Sequence, residues 1–324
     1  MITIAGAGLA GLACAYELAQ RGAAVRIYER AAAIGAGSVA RYAGGMLAPW
    51  CERESAEEAV ITLGGRAIDW WAKVTSVHRR GTLMVAPARD RAELTRFARR
   101  TTGHRGVDEA EIATMEPALA GRFAQGLFFE QEAHLDPRQA IRDLAAAVSA
   151  LGVEICLGAD APGSVDIDCR GIAAADRLTG LRPVRGEMAI LHCPEVMFTR
   201  TLRLLHPRIP LYLVPRGDGL FMIGGTMVES TSTRPVTLRS LSELLNAAFT
   251  LHPGFAEASV VETGAGLRPA FADNLPRLHQ DGGTLFLNGL YRHGFLLAPA
   301  MAQQVADRLG PETSDEHHRE RQSA

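Results

Sequence analysis

The first thirty residues constrain this chain more than any other stretch. A short apolar strand ends in Gly6-Ala7-Gly8-Leu9-Ala10-Gly11, an alanine-rich helix follows through about Gln20, Arg21-Gly22 closes it, and Ala24–Tyr28 forms a second strand ending at Glu29. Strand, glycine turn, helix, strand and terminal acid together make the βαβ unit that binds a dinucleotide. Gly6 permits the tight turn, Gly8 lets backbone approach a pyrophosphate, and Gly11 lets helix and strand pack closely. The helix N-terminus offers unpaired N–H groups and the positive end of its dipole to the phosphates. Glu29, eighteen positions past Gly11, is placed to accept from the ribose hydroxyls of an adenosine. An acid there disfavours a 2′-phosphate and therefore NADP, but the unit does not separate NAD from FAD.

The next segment bears on that choice. Residues 36–49 form a long run of small residues, including Val39, Ala40, Gly44, Gly45 and Met46, where an NAD domain would begin another helix. Backbone of this kind can lie flat against a large planar ligand. Read blandly, it is a surface loop.

At 324 residues the chain should hold about two domains. A net charge of −2 leaves no basic field for nucleic acid. No apolar run reaches the ~18–20 residues of a membrane span, and the N-terminus has no basic region ahead of its apolar residues, so no secretory signal is expected. Five dispersed cysteines without a CxxC pair read as reduced thiols of a cytoplasmic protein, with no metal site. Lys73 is the only lysine, which leaves little room for a lysine nucleophile.

Helical periodicity covers about Glu54–Val74, Arg138–Leu151, Leu238–Leu251 and Ala298–Leu309. Strands are expected near Thr82–Ala86, Gly126–Phe129, Val153–Leu157, Val165–Asp168, Arg185–Leu191, Leu211–Pro215, Leu220–Gly224, Ser259–Thr263 and Leu285–Leu287. Nucleotide-type segments thus lie at the start, middle and end, with antiparallel-type strands and helices between them. The fold class is α/β, a Rossmann-type domain interleaved with an α+β domain on a largely antiparallel sheet. The expected division is 1–52, 134–182 and 264–309 for the nucleotide domain, 53–133 and 183–263 for the substrate domain, and a disordered tail at 310–324, with His317-His318 solvated there.

Six pieces occur in order: Gly6–Arg30, Arg41–Pro49, His134–Pro137, Tyr212–Arg216, Gly266–Pro269 and Tyr291–Pro299. Together they closely resemble the glycine oxidase (ThiO) branch of the D-amino-acid oxidase family of FAD-dependent amine oxidases, over nearly the whole chain to about Leu309. The resemblance implies non-covalent FAD and hydride transfer from glycine to flavin N5. The imine formed would hydrolyse to glyoxylate and ammonia, oxygen would become hydrogen peroxide, and the enzyme would serve thiazole formation in thiamine synthesis. Cofactor contacts are then expected from Gly6, Gly8, Leu9, Ala10, Gly11, Glu29 and Arg30, from Val39, Ala40, Gly44, Gly45 and Met46, and from Gly171. The segment Leu290, Tyr291, Arg292, His293, Gly294, Phe295 and Leu296 should run along the flavin ring. Departures are Leu290 where histidine is common, His293 where asparagine is common, and a short stretch between Cys156 and Arg185.

The chemistry asks for a carboxylate anchor, a neutral amine and stabilisation of the reduced cofactor's charge. Arg292 is the first candidate anchor, because a guanidinium grips a carboxylate in a fixed plane. Arg268 is a second cation, Tyr212 a hydroxyl donor, and Met227 an apolar wall beside the substrate. The Ala298–Leu309 helix, with Pro299 at an early position, should present its positive end to the flavin. No protein base is required. His134 and Asp136 could suggest a catalytic pair, but Asp136-Pro137 reads better as a helix cap with proline at the first helical position. Trp70 and Trp71 are core, or leave room for a homo-oligomer interface. The alternatives are sarcosine or a D-amino acid as substrate, a non-oxygen acceptor, an NAD-dependent dehydrogenase, and a non-catalytic flavin-binding subunit.

Overall fold

A computed structural model describes residues 1–51, 58–206 and 211–309. Its first sheet runs Arg277–Asp281, Thr284–Asn288, Ile167–Asp168, Ile2–Ala5, Val25–Glu29, Glu154–Leu157. All pairings are parallel except the outermost, between Arg277–Asp281 and Thr284–Asn288. Ile2–Ala5 pairs with Val25–Glu29 on one side and with Ile167–Asp168 on the other. The chain thus leaves the first strand in one direction and returns beside it much later, which opens a crevice at the carboxyl ends of the strands. The Leu9–Gln20 helix covers this sheet with Leu9, Leu12, Cys14 and Leu18 buried. The Pro137–Ala150 and Gly294–Leu309 helices pack against it in the same core.

Among the described residues the second sheet has nine strands, with Arg182–His192 and Ser259–Ala270 paired over most of their length. It is antiparallel except where Thr201–Leu204 runs parallel to Thr82–Val85. The Leu238–Leu251 helix caps one face through Leu244, Ala248 and Leu251. The Ser259–Ala270 strand runs straight through the 263/264 border expected between domains.

Local departures from the expected elements have physical causes. The helix expected over Glu54–Val74 is two short helices, Glu58–Gly64 and Ala67–Trp71, parted at Gly64-Gly65; residues 54–57 lie outside the described residues. Gly64 sits so close to the Leu296 side chain that a Cβ would overlap it, so the break is also a packing point. Trp70 and Trp71 are 4% and 0% exposed, stacked edge-on with Tyr16 and each other and tilted against Phe295. They fill the core, and the interface expected from them is not formed by their rings. The C-terminal helix begins at Gly294, four residues before the expected start, so Pro299 lies inside it. Proline has no N–H for the carbonyl four residues back. That carbonyl, on Phe295, accepts instead from the Trp71 indole at 2.7 Å. The tail expected to be disordered lies outside the described residues.

Candidate cofactor and substrate site

A cavity of about 1080 Å³ runs along the carboxyl ends of the parallel strands and on to the second sheet. That volume lies at the upper limit for small-molecule sites and suits a large ligand. Its first zone is built by Gly6, Gly8, Leu9 and Ala10, with Glu29, Arg30 and Ser38 beside them. Gly6 has φ +96°, and a Cβ there would press on the Cys169 carbonyl, so only glycine suits the turn. Gly8 is the N-cap of the Leu9–Gln20 helix and supplies no side-chain cap, which leaves the helix end open to a phosphate. Gly11 is not on the cavity wall. A Cβ there would overlap the Gly6 carbonyl oxygen, so its work is to let the helix close on the turn. Glu29 is held on both oxygens, accepting from Ala7 N and Ala31 N at 2.8 Å each. Asp168, buried and paired with Arg170, completes this end with Gly171.

The middle zone is backbone. Val39, Ala40, Gly44, Gly45 and Met46 line it together with Leu290–Leu296. Gly45 has φ +72°, and a Cβ there would overlap the Leu135 carbonyl. The Gly294–Leu309 helix opens on this zone with Gly294, Phe295 and Leu296, presenting its positive end. The glycine turn with its open helix end fits the diphosphate of FAD, the fixed acid its ribose, and the broad small-residue wall its ring system. The residues present therefore suit the cofactor that the sequence implies.

The third zone carries side chains able to hold a small polar ligand. Arg292, Arg268, Tyr212 and Met227 all line the cavity, together with Met222, Gly224 and Gly225. The Arg292 Nη1 lies 3.5 Å from Met227 Sδ, and its Nε 3.2 Å from His293 Nε2. Met227 is half exposed, so this wall stands at the mouth of the site. The Arg268 guanidinium lies over Gly186 and Gly225 where side chains would otherwise stand, and donates to the Thr226 carbonyl at 3.0 Å.

Two wall residues were not singled out from the sequence. Arg203 is 6% exposed, lies over the ring of Tyr212 with its guanidinium carbon 5.1 Å from the centroid, and donates to the Cys51 carbonyl. It is the register partner of Tyr212 across the Thr201–Leu204 and Leu211–Gly217 strands. Glu187 is 1% exposed. Burial pushes its carboxyl up, but hydrogen bonds from Ser240, Arg185 and Thr237 outweigh this and hold it below the usual carboxylate value. It is a paired anion, which does not suit it to act as a base. His134 is outside the cavity wall, stacked on His78 with centroids 4.9 Å apart. Asp136 accepts from Gln139 N at 2.7 Å, the helix cap expected of it.

The chain matches the family described as FAD dependent oxidoreductase (DAO) over residues 1–308. It is 57% identical to a Rhizobium etli protein assigned as a thiamine biosynthesis oxidoreductase, ThiO, over 95% of this chain and 96% of that protein. It is 29% identical to the bifunctional protein ThiO/ThiG of Trichormus variabilis, covering 97% of this chain but 53% of that longer protein. Glycine oxidase of Geobacillus kaustophilus is 28% identical over 94% of this chain and 92% of its own length. Its crystal structure superposes with a TM-score of 0.79, covering 94% and 93% of the two chains, at 23% identity in the structural alignment. No helix among the described residues is long and apolar enough to cross a membrane.

Proposed function

Because this chain belongs to the DAO family of FAD-dependent oxidoreductases, we propose that it oxidises glycine, or an amine of similar size, to the imine. Water then releases glyoxylate and ammonia, and oxygen takes the two electrons to become hydrogen peroxide. The observation that carries this reading is the convergence of Arg292, Arg268 and Tyr212 on one end of the FAD-sized cavity. The NAD-dehydrogenase alternative is set aside with the family.

FAD, when bound, supplies the two-electron acceptor. The chain's part is to hold and shape the substrate. Arg292 grips its carboxylate with paired, charge-assisted hydrogen bonds, Arg268 adds a second positive group, and the Tyr212 hydroxyl donates to the same carboxylate. Two guanidinium groups nearby disfavour the ammonium form of the substrate and favour the neutral amine that must lose electrons. Met46, Met222 and Met227 narrow the space around the α-carbon. The open end of the Gly294–Leu309 helix favours the negative charge that reduction brings. No side chain is assigned as a base. The relation to a ThiO/ThiG fusion favours service in thiamine synthesis, with the imine drawn into thiazole formation.

The test is glycine-dependent peroxide formation by the FAD-loaded enzyme. Arg292→Ala should keep the flavin and lose about 10- to 100-fold in kcat/KM, the value of a charge-assisted anchor. Unchanged peroxide formation in that variant, or none with glycine, sarcosine or D-alanine in the parent, would overturn the assignment.

A further inference from the structure

Arg216 has the burial and hydrogen bonding of a functional residue, yet it lies outside the main cavity. Its side chain is 8% exposed. It lines a second cavity of about 280 Å³ with Arg41, Asp136, Arg138 and Glu262, and Ala43 borders both cavities. Burying a guanidinium is costly unless its donors are satisfied. The ordinary solution, a bidentate carboxylate, is not used here. Arg138 already takes both Glu262 oxygens, and Asp136 comes no closer than 3.6 Å to Arg216 Nε while capping a helix. The Arg216 donors go instead to three main-chain carbonyls: Nη1 to Leu135 at 3.1 Å, and Nη2 to Ala43 at 3.2 Å and Gly44 at 2.8 Å.

The planar trans peptide turns this into a statement about the front of the segment. In each peptide unit the N–H points opposite to the C=O. With the Ala43 and Gly44 carbonyls drawn back to Arg216, the N–H groups of Gly44 and Gly45 face away from it, and both residues line the main cavity. Neither N–H meets an acceptor among the described residues. Gly45 keeps the segment in this pose at φ +72°, hard against Leu135, whose N–H donates to the Gly45 carbonyl at 2.9 Å. A positive charge at the carbonyl side also polarises each peptide, making its N–H a better donor.

We propose that Arg216 is a positioning residue for the cofactor, clamping the Ala43 and Gly44 carbonyls so that two polarised main-chain N–H donors face the electron-rich edge of a bound flavin. It touches neither flavin nor substrate. Burial lowers its pKa to about 10, so it stays charged at neutral pH. The proposal rests on the FAD reading of the cavity and not on the identity of the amine, so its readouts are cofactor properties.

The experiment compares Arg216→Met and Arg216→Lys with the parent. It measures FAD affinity by titrating apoprotein, the flavin midpoint potential, and the urea midpoint of each apoprotein. The expected result for Arg216→Met is at least about a tenfold rise in the FAD dissociation constant and a lower midpoint potential of the bound flavin, on top of the drop in apoprotein urea midpoint that three carbonyls left without their donor bring. Arg216→Lys, which keeps the charge and can reach one carbonyl, should fall between. A merely structural role would lower the urea midpoint and leave the potential of the retained flavin at the parent value, and that result overturns the proposal. Should Arg216→Met not fold, Arg216→Lys decides alone: parent affinity and potential contradict the proposal, and a weakened, lower-potential flavin supports it. Failure of glycine oxidation with these cofactor effects intact would count against the substrate reading only.

Discussion

At one end of the short Met46–Leu47 and Ala133–His134 pairing, His134 faces Met46 and Gly45 meets Leu135. A methyl group at Gly45 would meet the Leu135 oxygen and force a positive φ on alanine, so Gly45→Ala should cost several kcal/mol, roughly 2–4 by the scale of core overpacking plus strain. Urea titration should show this loss, together with weakened FAD binding. His134 is buried, and its Nδ1 has no hydrogen-bond partner among the described residues. Burial first, then His78 and Arg216, push its pKa down to about 3 from 6.5. The unfolded chain therefore binds the extra proton more readily. The stability this residue contributes is complete above pH 6.5 and falls by up to about 1.4 kcal/mol per pH unit on acidification toward pH 3. His134→Gln should flatten the fall in urea midpoint between pH 7 and 5; an unchanged slope would remove His134 from the account. At this scale the sequence revealed residues whose local geometry is set by neighbours along the chain, such as Gly6 in its turn and Asp136 in its helix cap. It gave no role to Arg203, nor to Arg216 at the end of the Tyr212–Arg216 piece, because what sets them apart is a carbonyl or ring brought close only by folding.

The Gly294–Leu309 helix shows how an element can depend on a distant one. Pro299 frees the Phe295 carbonyl, and the Trp71 indole, more than two hundred residues away in sequence, occupies it. Trp71→Phe should leave that buried carbonyl unpaired and cost about 1–3 kcal/mol beyond the lost packing. Adding Pro299→Ala restores a helical N–H to the same carbonyl, so the double variant should be more stable than Trp71→Phe alone by urea titration. Equal stability would show that the indole bond carries little. Strong patterns gave the Leu238–Leu251 helix to the residue and the Pro137–Ala150 helix to within one. The strands that escaped notice are weakly patterned: Arg277–Asp281 is an exposed edge pairing with one neighbour, Arg105–Asp108 is mostly exposed, and Thr201–Leu204 carries Arg203 in its middle. Charge in a strand hides it when only apolar alternation is followed.

On the scale of the whole molecule, the cavity reaches from the parallel sheet to the antiparallel one, and a ligand filling it touches both. Arg138 on the Pro137–Ala150 helix and Glu262 on the Ser259–Ala270 strand tie the same two parts with paired bonds of 2.8 and 2.6 Å. Both side chains are about a third exposed, so this bridge should contribute at most about 1 kcal/mol. FAD should matter far more: apoprotein Tm should climb with the logarithm of FAD concentration, while NADH leaves it unmoved. Interleaved order and two sheet types were legible in the sequence because strand chemistry changes along the chain. The grouping of Arg292 with Arg268 and Tyr212 came from the family resemblance and not from spacing, because residues 212 and 268 reach the same sheet only through the pairings that Arg182–His192 makes with its neighbours. The central claim is that this cavity presents a glycine-sized amine to FAD beneath Arg292. Anaerobic mixing of the FAD-loaded protein with glycine tests it most directly: the oxidised flavin absorbance should bleach in the parent and far more slowly in Arg292→Ala. A flavin that stays oxidised in the parent, or bleaches equally fast without the guanidinium, would contradict the account.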